Sequence, residues 1–184
     1  MLHHVEATAR GVKNALLVGD MPIHSYDTVE QAVQSAKKLF LAGADAVKLE
    51  GGAAQAGNIR AIVEAGIPVV GHIGLLPQKV LEEGGYKIKG KSSAEEEALV
   101  RDVEAVAEAG ACAVVVEGVT PHAARQVTVH SSIPTLGIGS GSHTCDGDVV
   151  VIHDLVGAFP WFIPAFVKPV SYTHLRAHET DSYL

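Results

Sequence analysis

The sequence predicts an α/β fold, an incomplete (β/α)8 (TIM) barrel in which about five to six βα units are present. Three observations carry that expectation. A helix-like segment ending in Ala-Gly or a similar breaker is repeatedly followed by a short apolar run and then a polar or glycine-rich turn. The apolar runs are continuous rather than alternating, as in parallel strands covered on both faces. Ionisable residues gather at the ends of those runs, just before the turns.

The chain opens on "MLHHVEATARG", which reads as helix, and passes into "NALLVGDMP" (14–22), a strand ending at Asp20. "TVEQAVQSAKKLFLAG" follows as an amphipathic helix, with Val29, Ala32, Val33, Ala36, Leu39 and Phe40 at helical spacing. Thr28 caps its start and Gly43 stands where it stops. "AGADAVKLEGG" (42–52) is the second strand, with Lys48 and Glu50 two apart and so on one face. "AAQAGNIRAIVEAG" returns as helix to Gly66, and "AGIPVVGHIGL" (65–75) is the third strand, carrying His72. After the loop "GLLPQKVLEEGGYKIKGKS" comes the helix "SSAEEEALVRDVEAVAEAG", with Ser93 as expected N-cap and Gly110 as stop. "AGACAVVVEGV" (109–119) ends at Glu117, "TPHAARQVTVHSS" is helical, and "SSIPTLGIGSG" (131–141) runs to Gly139 and Ser140.

A doubly wound open sheet would also fit this alternation. Its glycine fingerprint is missing after the first strand, where Asp20-Met21-Pro22 stands, and "GIGSGSH" (137–143) lacks the third glycine and follows a late strand. A barrel brings all strand ends to one rim, so Asp20, Lys48, Glu50, His72 and Glu117 are expected to converge there.

Composition narrows the function. At 184 residues, 47% hydrophobic, the chain can bury one sizeable core. A net charge of −7 and no basic cluster argue against a nucleic-acid partner. No apolar run approaches the ~20 residues of a membrane helix, so no membrane partner is expected. Cys112 and Cys145 form no metal or redox spacing, and Cys112 reads as a small buried strand residue. A reducing, cytoplasmic setting is expected.

Each rim residue has a local reading: Asp20 or Glu117 as a helix N-cap, Lys48 as half of a solvated ion pair, His72 as a satisfied core histidine. Together, at four consecutive strand ends, they imply a ligand or a metal, because charges buried without partners cost several kcal/mol each. Asp20 and Glu50, without thiolate or imidazole donors, suit a hard cation such as Mg2+. Lys48 beside it would hold a substrate carboxylate. Glu117 ends the apolar strand "CAVVVEGV", surroundings that favour a general base. A metal polarising a carbonyl and a base taking the adjacent C–H proton make enolate chemistry.

Six segments, "LLVGDMPIHSY", "AGADAVKLEGG", "PVVGHIGLLPQ", "GGYKIKGK", "VVVEGV" and "IPTLGIGSG…CDGDVVVIHDLVG", resemble the ketopantoate hydroxymethyltransferase family over about residues 1–168 in unbroken order. The resemblance implies a (β/α)8 barrel, a homo-oligomer and small-molecule substrates. It implies Mg2+-dependent transfer of a hydroxymethyl group from 5,10-methylenetetrahydrofolate to 3-methyl-2-oxobutanoate, giving 2-dehydropantoate. By motif it makes Asp20 and Glu50 metal residues, with Asp20, Lys48 and His72 at the substrate and Glu117 the proton acceptor. Two departures follow from it. The family's upstream V-G-D-S strand, with a further metal aspartate, has no counterpart in residues 1–19, so an N-terminally truncated chain is expected. Residues 170–184, "VSYTHLRAHETDSYL", break the pattern and resemble translated adapter sequence. The expected organisation is a partial catalytic barrel over 1–169 and an unrelated, disordered tail over 170–184. The alternatives are a Mg2+-dependent C–C lyase of the isocitrate lyase or phosphoenolpyruvate mutase type, or a non-catalytic truncated product. The lyases carry a cysteine in a loop that here contains none.

One expectation is kinetic. Losing a positioning or electrostatic group commonly costs a hundredfold or more, so this chain is expected to turn over 3-methyl-2-oxobutanoate at least about a hundredfold more slowly than a version with the upstream strand added. Hydroxymethylation assays on the two proteins decide it, and equal rates would show the added residues to be dispensable.

Overall fold

A computed structural model describes residues 1–158, 163–164 and 166–170 of the chain. They fall into two compact units, Met1–Gly147 and Asp148–Leu184. In the first unit, short strands alternate with helices: α1 (Leu2–Gly11), β1 (Val18–Asp20), α2 (Val29–Leu41), β2 (Ala46–Lys48), α3 (Ala56–Glu64), β3 (Val69–Gly74), α4 (Ser93–Glu108), β4 (Ala113–Glu117), α5 (Pro121–His130) and β5 (Thr135–Ile138). A two-residue strand, β6 (Gly147–Asp148), ends the series at the limit of the unit.

The sheet order is β1-β2-β3-β4-β5-β6, and every pairing from β1 to β5 is parallel. A doubly wound sheet reverses its strand order at a switch point. This one never does, so each crossover helix lies on the same side as the last. The side chains record the same fact. Val47, Val69, Ile73, Val114 and Val116 point from the strands into one large apolar cluster with Ala32, Ala36 and Leu39 of α2, Ile59 and Ile62 of α3, Val103 and Val106 of α4, and Val127 of α5. A second cluster contains strand residues only, Ala46, Val70, Val115 and Ile138, with Val18, Ala113 and Leu136 packed against it. The helices therefore cover one face, where the sequence pattern suggested cover on both, and the strands' other face is an apolar floor of their own making.

Local chemistry accounts for most element limits. Thr28 caps α2 by accepting from the Gln31 N–H. The cap of α4 is Ser92, one residue before the expected Ser93: its hydroxyl accepts from Glu95 N–H, and the Glu95 carboxylate reaches back to Lys91 N–H at 2.8 Å. Gly43, Gly66 and Gly110 follow three helices with φ of 107°, 82° and 95°, a conformation that suits glycine at a helix end. In α2 the buried stripe is narrower than its spacing suggests, since Val29 and Phe40 are exposed. Cys112 is a correction. It sits in a bend before β4, exposed, its thiol donating to Val69 O at 3.2 Å. The core side of that strand starts only at Val114.

The second unit contains α6 (Ile152–Leu155), and Val170 N–H donates to Leu155 O at 2.8 Å. The expected tail, residues 170–184, lies outside the described residues except for Val170. No helix among the described residues is long and apolar enough to cross a membrane.

Gly71 marks the closest approach of β3 to α4: a Cβ there would stand 2.5 Å from Val106 Cγ1. Gly71→Ala is expected to destabilise the protein by about 1–3 kcal/mol through overpacking. Gly57, in α3, has open space around it; Gly57→Ala is expected to stabilise by about 0.5–1 kcal/mol. Urea unfolding followed by circular dichroism measures both, and a Gly71→Ala variant as stable as the parent would show that the β3–α4 contact yields without cost.

Candidate active site

Strand alternation decides which side chains reach the rim. Val18 and Asp20 of β1, Ala46 and Lys48 of β2, Val70 and His72 of β3, and Val115 and Glu117 of β4 all share the face away from the helices. On each strand an apolar residue forms the floor and the ionisable residue lies two positions nearer the C-terminal end. Leu49 points the other way, into the main core at 0% exposure, which returns Glu50 to the rim side just past β2.

The five side chains named from the sequence come together there. Lys48 Nζ lies 2.9 Å from Asp20 Oδ1 and 3.2 Å from His72 Nδ1. His72 Nε2 lies 3.2 Å from Glu117 Oε2, and His72 Nδ1 is 4.0 Å from Glu50 Oε1. An ammonium can only donate, so Lys48 makes Nδ1 the acceptor and leaves the imidazole N–H on Nε2, the nitrogen nearer Glu117. The result is a row, Asp20–Lys48–His72–Glu117, that crosses four strands.

The row is not saturated. Asp20 Oδ1 and His72 Nε2 are buried atoms without an aligned hydrogen bond, so their close neighbours hold them by charge and proximity alone. The Asp20 carboxylate is ion-paired with Lys48 and still has lone pairs that a second cation could share. With Glu50 it offers hard oxygen ligands of the kind Mg2+ takes. Among the described residues no group of three His, Cys, Asp or Glu is placed to hold a metal ion. An ion at Asp20 and Glu50 would therefore draw the rest of its shell from water and substrate oxygens.

Of the two glutamates, Glu50 is the deeply buried one, with 3% side-chain exposure against 22% for Glu117. The sequence pointed to Glu117 as the carboxylate in apolar surroundings. The turn after β2 folds back under the loops instead, and Gly51 N–H donates to His72 O at 2.9 Å. Burial pushes the Glu50 carboxyl above its ordinary value, opposed by the Gln78 N–H bond and by His72 and Lys48.

Two further residues belong to the site and were not singled out from the sequence. Gln78, in the short 3-10 turn Pro77–Lys79 after β3, donates its backbone N–H to Glu50 Oε2 at 3.0 Å and its Nε2 to Met21 O at 3.0 Å. Tyr26 donates its hydroxyl to Gln78 Oε1 at 2.9 Å and is held by burial at a pKa of about 12. Both fall inside the quoted motifs "LLVGDMPIHSY" and "PVVGHIGLLPQ", but no spacing rule marks a loop amide as structural. Ser140, after β5, spends its hydroxyl on Val116 O at 2.6 Å.

Comparison with known proteins adds five findings. The family profile described as ketopantoate hydroxymethyltransferase matches residues 1–183. The 3-methyl-2-oxobutanoate hydroxymethyltransferase of Syntrophobacter fumaroxidans (strain DSM 10017 / MPOB) is 48% identical over 182 residues, covering 97% of this chain and 64% of that protein. The chain spans less than two thirds of the length of the curated relatives it matches, 60 to 66% for those compared. Among solved structures, a putative phosphonomutase from Burkholderia cenocepacia J2315 superposes with a TM-score of 0.63 at 16% identity, over 99% of this chain and 72% of that one. A 2,3-dimethylmalate lyase described as a PEP mutase/isocitrate lyase superfamily member gives 0.57 at 17% identity, over 99% and 77%. At such identities these structures show a shared fold.

Burial of Glu50 has a sign that can be checked in metal-free buffer. Its folded pKa is raised, so between the unfolded and folded values the native state holds a proton that the unfolded chain has lost, and stability falls as pH rises through that window. Glu50→Gln removes the penalty while leaving an oxygen for Gln78 N–H. It is expected to raise the urea midpoint at neutral pH in EDTA, with the gain fading as pH drops below the ordinary carboxylate range. A lower midpoint at neutral pH would show that Glu50 is stabilised by its partners more than it is penalised by burial.

Proposed function

Since the chain belongs to the ketopantoate hydroxymethyltransferase family, we propose that it transfers a hydroxymethyl group from 5,10-methylenetetrahydrofolate to 3-methyl-2-oxobutanoate, giving 2-dehydropantoate. The observation that carries the reading is the row of four ionisable side chains at consecutive strand ends, with the Asp20 carboxylate, ion-paired with Lys48, at one end and Glu117 at the other. On this reading the sheet of the first unit is part of a (β/α)8 barrel, and the strand ends form its catalytic mouth.

Asp20 and Glu50 would hold Mg2+. Bound there, the ion supplies Lewis-acid polarisation of the keto oxygen and offsets negative charge developing on the substrate. Lys48 has three N–H donors; one is shared with His72 Nδ1, and the ammonium is also ion-paired with Asp20. It thus keeps a donor for the keto-acid carboxylate, and Asp20 and His72 fix the ammonium that carries it. Glu117 accepts the proton from C3, the carbon next to the keto group. That carbon's electron pair then forms the new C–C bond to the one-carbon unit; both of that unit's bonds to folate nitrogens break, water supplies the hydroxyl oxygen of the product, and the C3 proton and one water proton end on the two nitrogens. His72 Nε2 lies 3.2 Å from Glu117 Oε2 and places the imidazole beside the base at the rim. A homo-oligomer and a cytoplasmic location accompany the family reading.

The lyase alternative shares the fold, but this chain's cysteines, Cys112 and Cys145, both lie outside the loop after β3 where such enzymes would carry one.

Proton exchange isolates the base from the folate. In Mg2+ and D2O, the chain is expected to wash the C3 hydrogen of 3-methyl-2-oxobutanoate into solvent, and Glu117→Gln to slow this by about 10²–10⁴-fold while leaving keto-acid binding nearly unchanged. Nuclear magnetic resonance follows the exchange and calorimetry the binding. Exchange that persists in Glu117→Gln would assign the base to another residue.

A further inference from the structure

Three rim loops meet at a single residue. Gln78 follows β3, yet its backbone N–H binds Glu50, after β2, and its side chain binds Met21 O and Tyr26 OH, both after β1. The neighbouring contacts tighten the joint. Met21 is fully buried, and its N–H donates to Lys48 O at 2.8 Å. Asn58 donates from Nδ2 to Tyr26 O and to Gln55 Oε1, both at 2.7 Å, carrying the brace into α3.

The orientation of the Gln78 amide follows from its partners. Met21 O can only accept, so Nε2 must face it and Oε1 is left for the Tyr26 hydroxyl. The backbone N–H of Gln78 sits in the first turn of a 3-10 helix, where it has no partner inside the turn, and Glu50 Oε2 supplies one. That bond distinguishes the two oxygens of Glu50. Oε2 is tied to the loop, while Oε1 lies towards His72 Nδ1, 4.0 Å away.

We propose that Gln78 is a positioning residue: it braces the segments after β1, β2 and β3 against one another and turns the Glu50 carboxylate so that Oε1 faces the rim. A glutamine suits the task because it offers a donor and an acceptor on one rigid plane. A leucine of similar size would leave Met21 O and Tyr26 OH unpaired under the loops, a cost the folded state can avoid only by letting the loops separate. The inference rests on the metal reading of Glu50 only in its Mn2+ arm below; the bracing stands on the hydrogen bonds alone.

The test uses the 184-residue chain, with Gln78→Leu and the milder Tyr26→Phe, which removes one hydroxyl and keeps the Met21 bond. Hydrogen exchange is read by mass spectrometry in EDTA. Both variants are expected to speed exchange over residues 21–27 and 50–52, more in Gln78→Leu, without change over α4 and α5. Mn2+ affinity, read by electron paramagnetic resonance, is expected to fall about tenfold in Gln78→Leu, the scale of losing an outer-shell support. Unchanged exchange at those two segments overturns the proposal. So does exchange that rises evenly along the chain in Tyr26→Phe with a lowered thermal midpoint, since that describes general loss of stability. Local exchange that rises while Mn2+ affinity holds overturns the orientation of Glu50. If the parent chain binds no Mn2+, the metal reading of Glu50 fails, and the local exchange still decides whether Gln78 braces the loops. Should Gln78→Leu fail to fold, Tyr26→Phe decides between the same outcomes.

Discussion

Lys48 lies between the Asp20 carboxylate and the His72 imidazole, and its charge is what lets four ionisable side chains share one rim above an apolar floor. Without it, Asp20, Glu50 and Glu117 would put three carboxylates on one side of a sheet, each repelling the others in poor solvent. With it, Asp20 has a counter-charge, and the proton of His72 is confined to the nitrogen that faces Glu117. One ammonium thereby sets both the charge balance at one end of the row and the tautomer at the other. Lys48 reaches both partners because its strand is the neighbour of theirs on each side, with Asp20 opposite Lys48 in the β1–β2 register.

That arrangement depends in turn on keeping all the helices on the other face. Val47, Val69, Val114 and Val116 hold the strands against α2, α3, α4 and α5, so the alternate positions are free to carry polar groups at one end and small apolar ones below. β3 comes close enough to α4 for only a hydrogen at Gly71. The closeness matters for function because β3 carries His72, the residue with contacts to both neighbouring strands. A core that is tight on the helix side gives the rim side its precision.

The loops add what strands cannot. Glu50 lies beyond the last residue of β2, so no ladder bond holds it; the Gly51–His72 backbone bond and the Gln78 N–H do. Asp102 of α4 accepts from Ala53 N–H at 2.8 Å and anchors the far side of the same turn. The site thus combines strand-borne groups held by register with one loop-borne carboxylate held by capping bonds, and the second kind is the more easily disturbed.

By itself, the sequence determined the order of strands and helices, the limits of α2, α4 and α5 to within a residue or two, the strands as cores of longer segments, and the identity of the rim residues. All of these are local: continuous apolar runs, helical spacing, cap residues and glycines at helix ends act within a few positions along the chain, and "GDMP", "VKLEGG", "GHIGL" and "VVVEGV" carry their ionisable residues at fixed places. The tertiary structure fixed the one-sided sheet that the sequence favoured over a doubly wound one, because strand order is set by long-range pairing that no window of sequence contains. It also decided that Glu50 rather than Glu117 is the buried carboxylate, that Cys112 is exposed, and that Gln78 joins three loops. Each of those depends on which distant backbone atom lies opposite a side chain, and Gln78 and Tyr26, which hydrogen-bond across the site, are 52 positions apart in the chain.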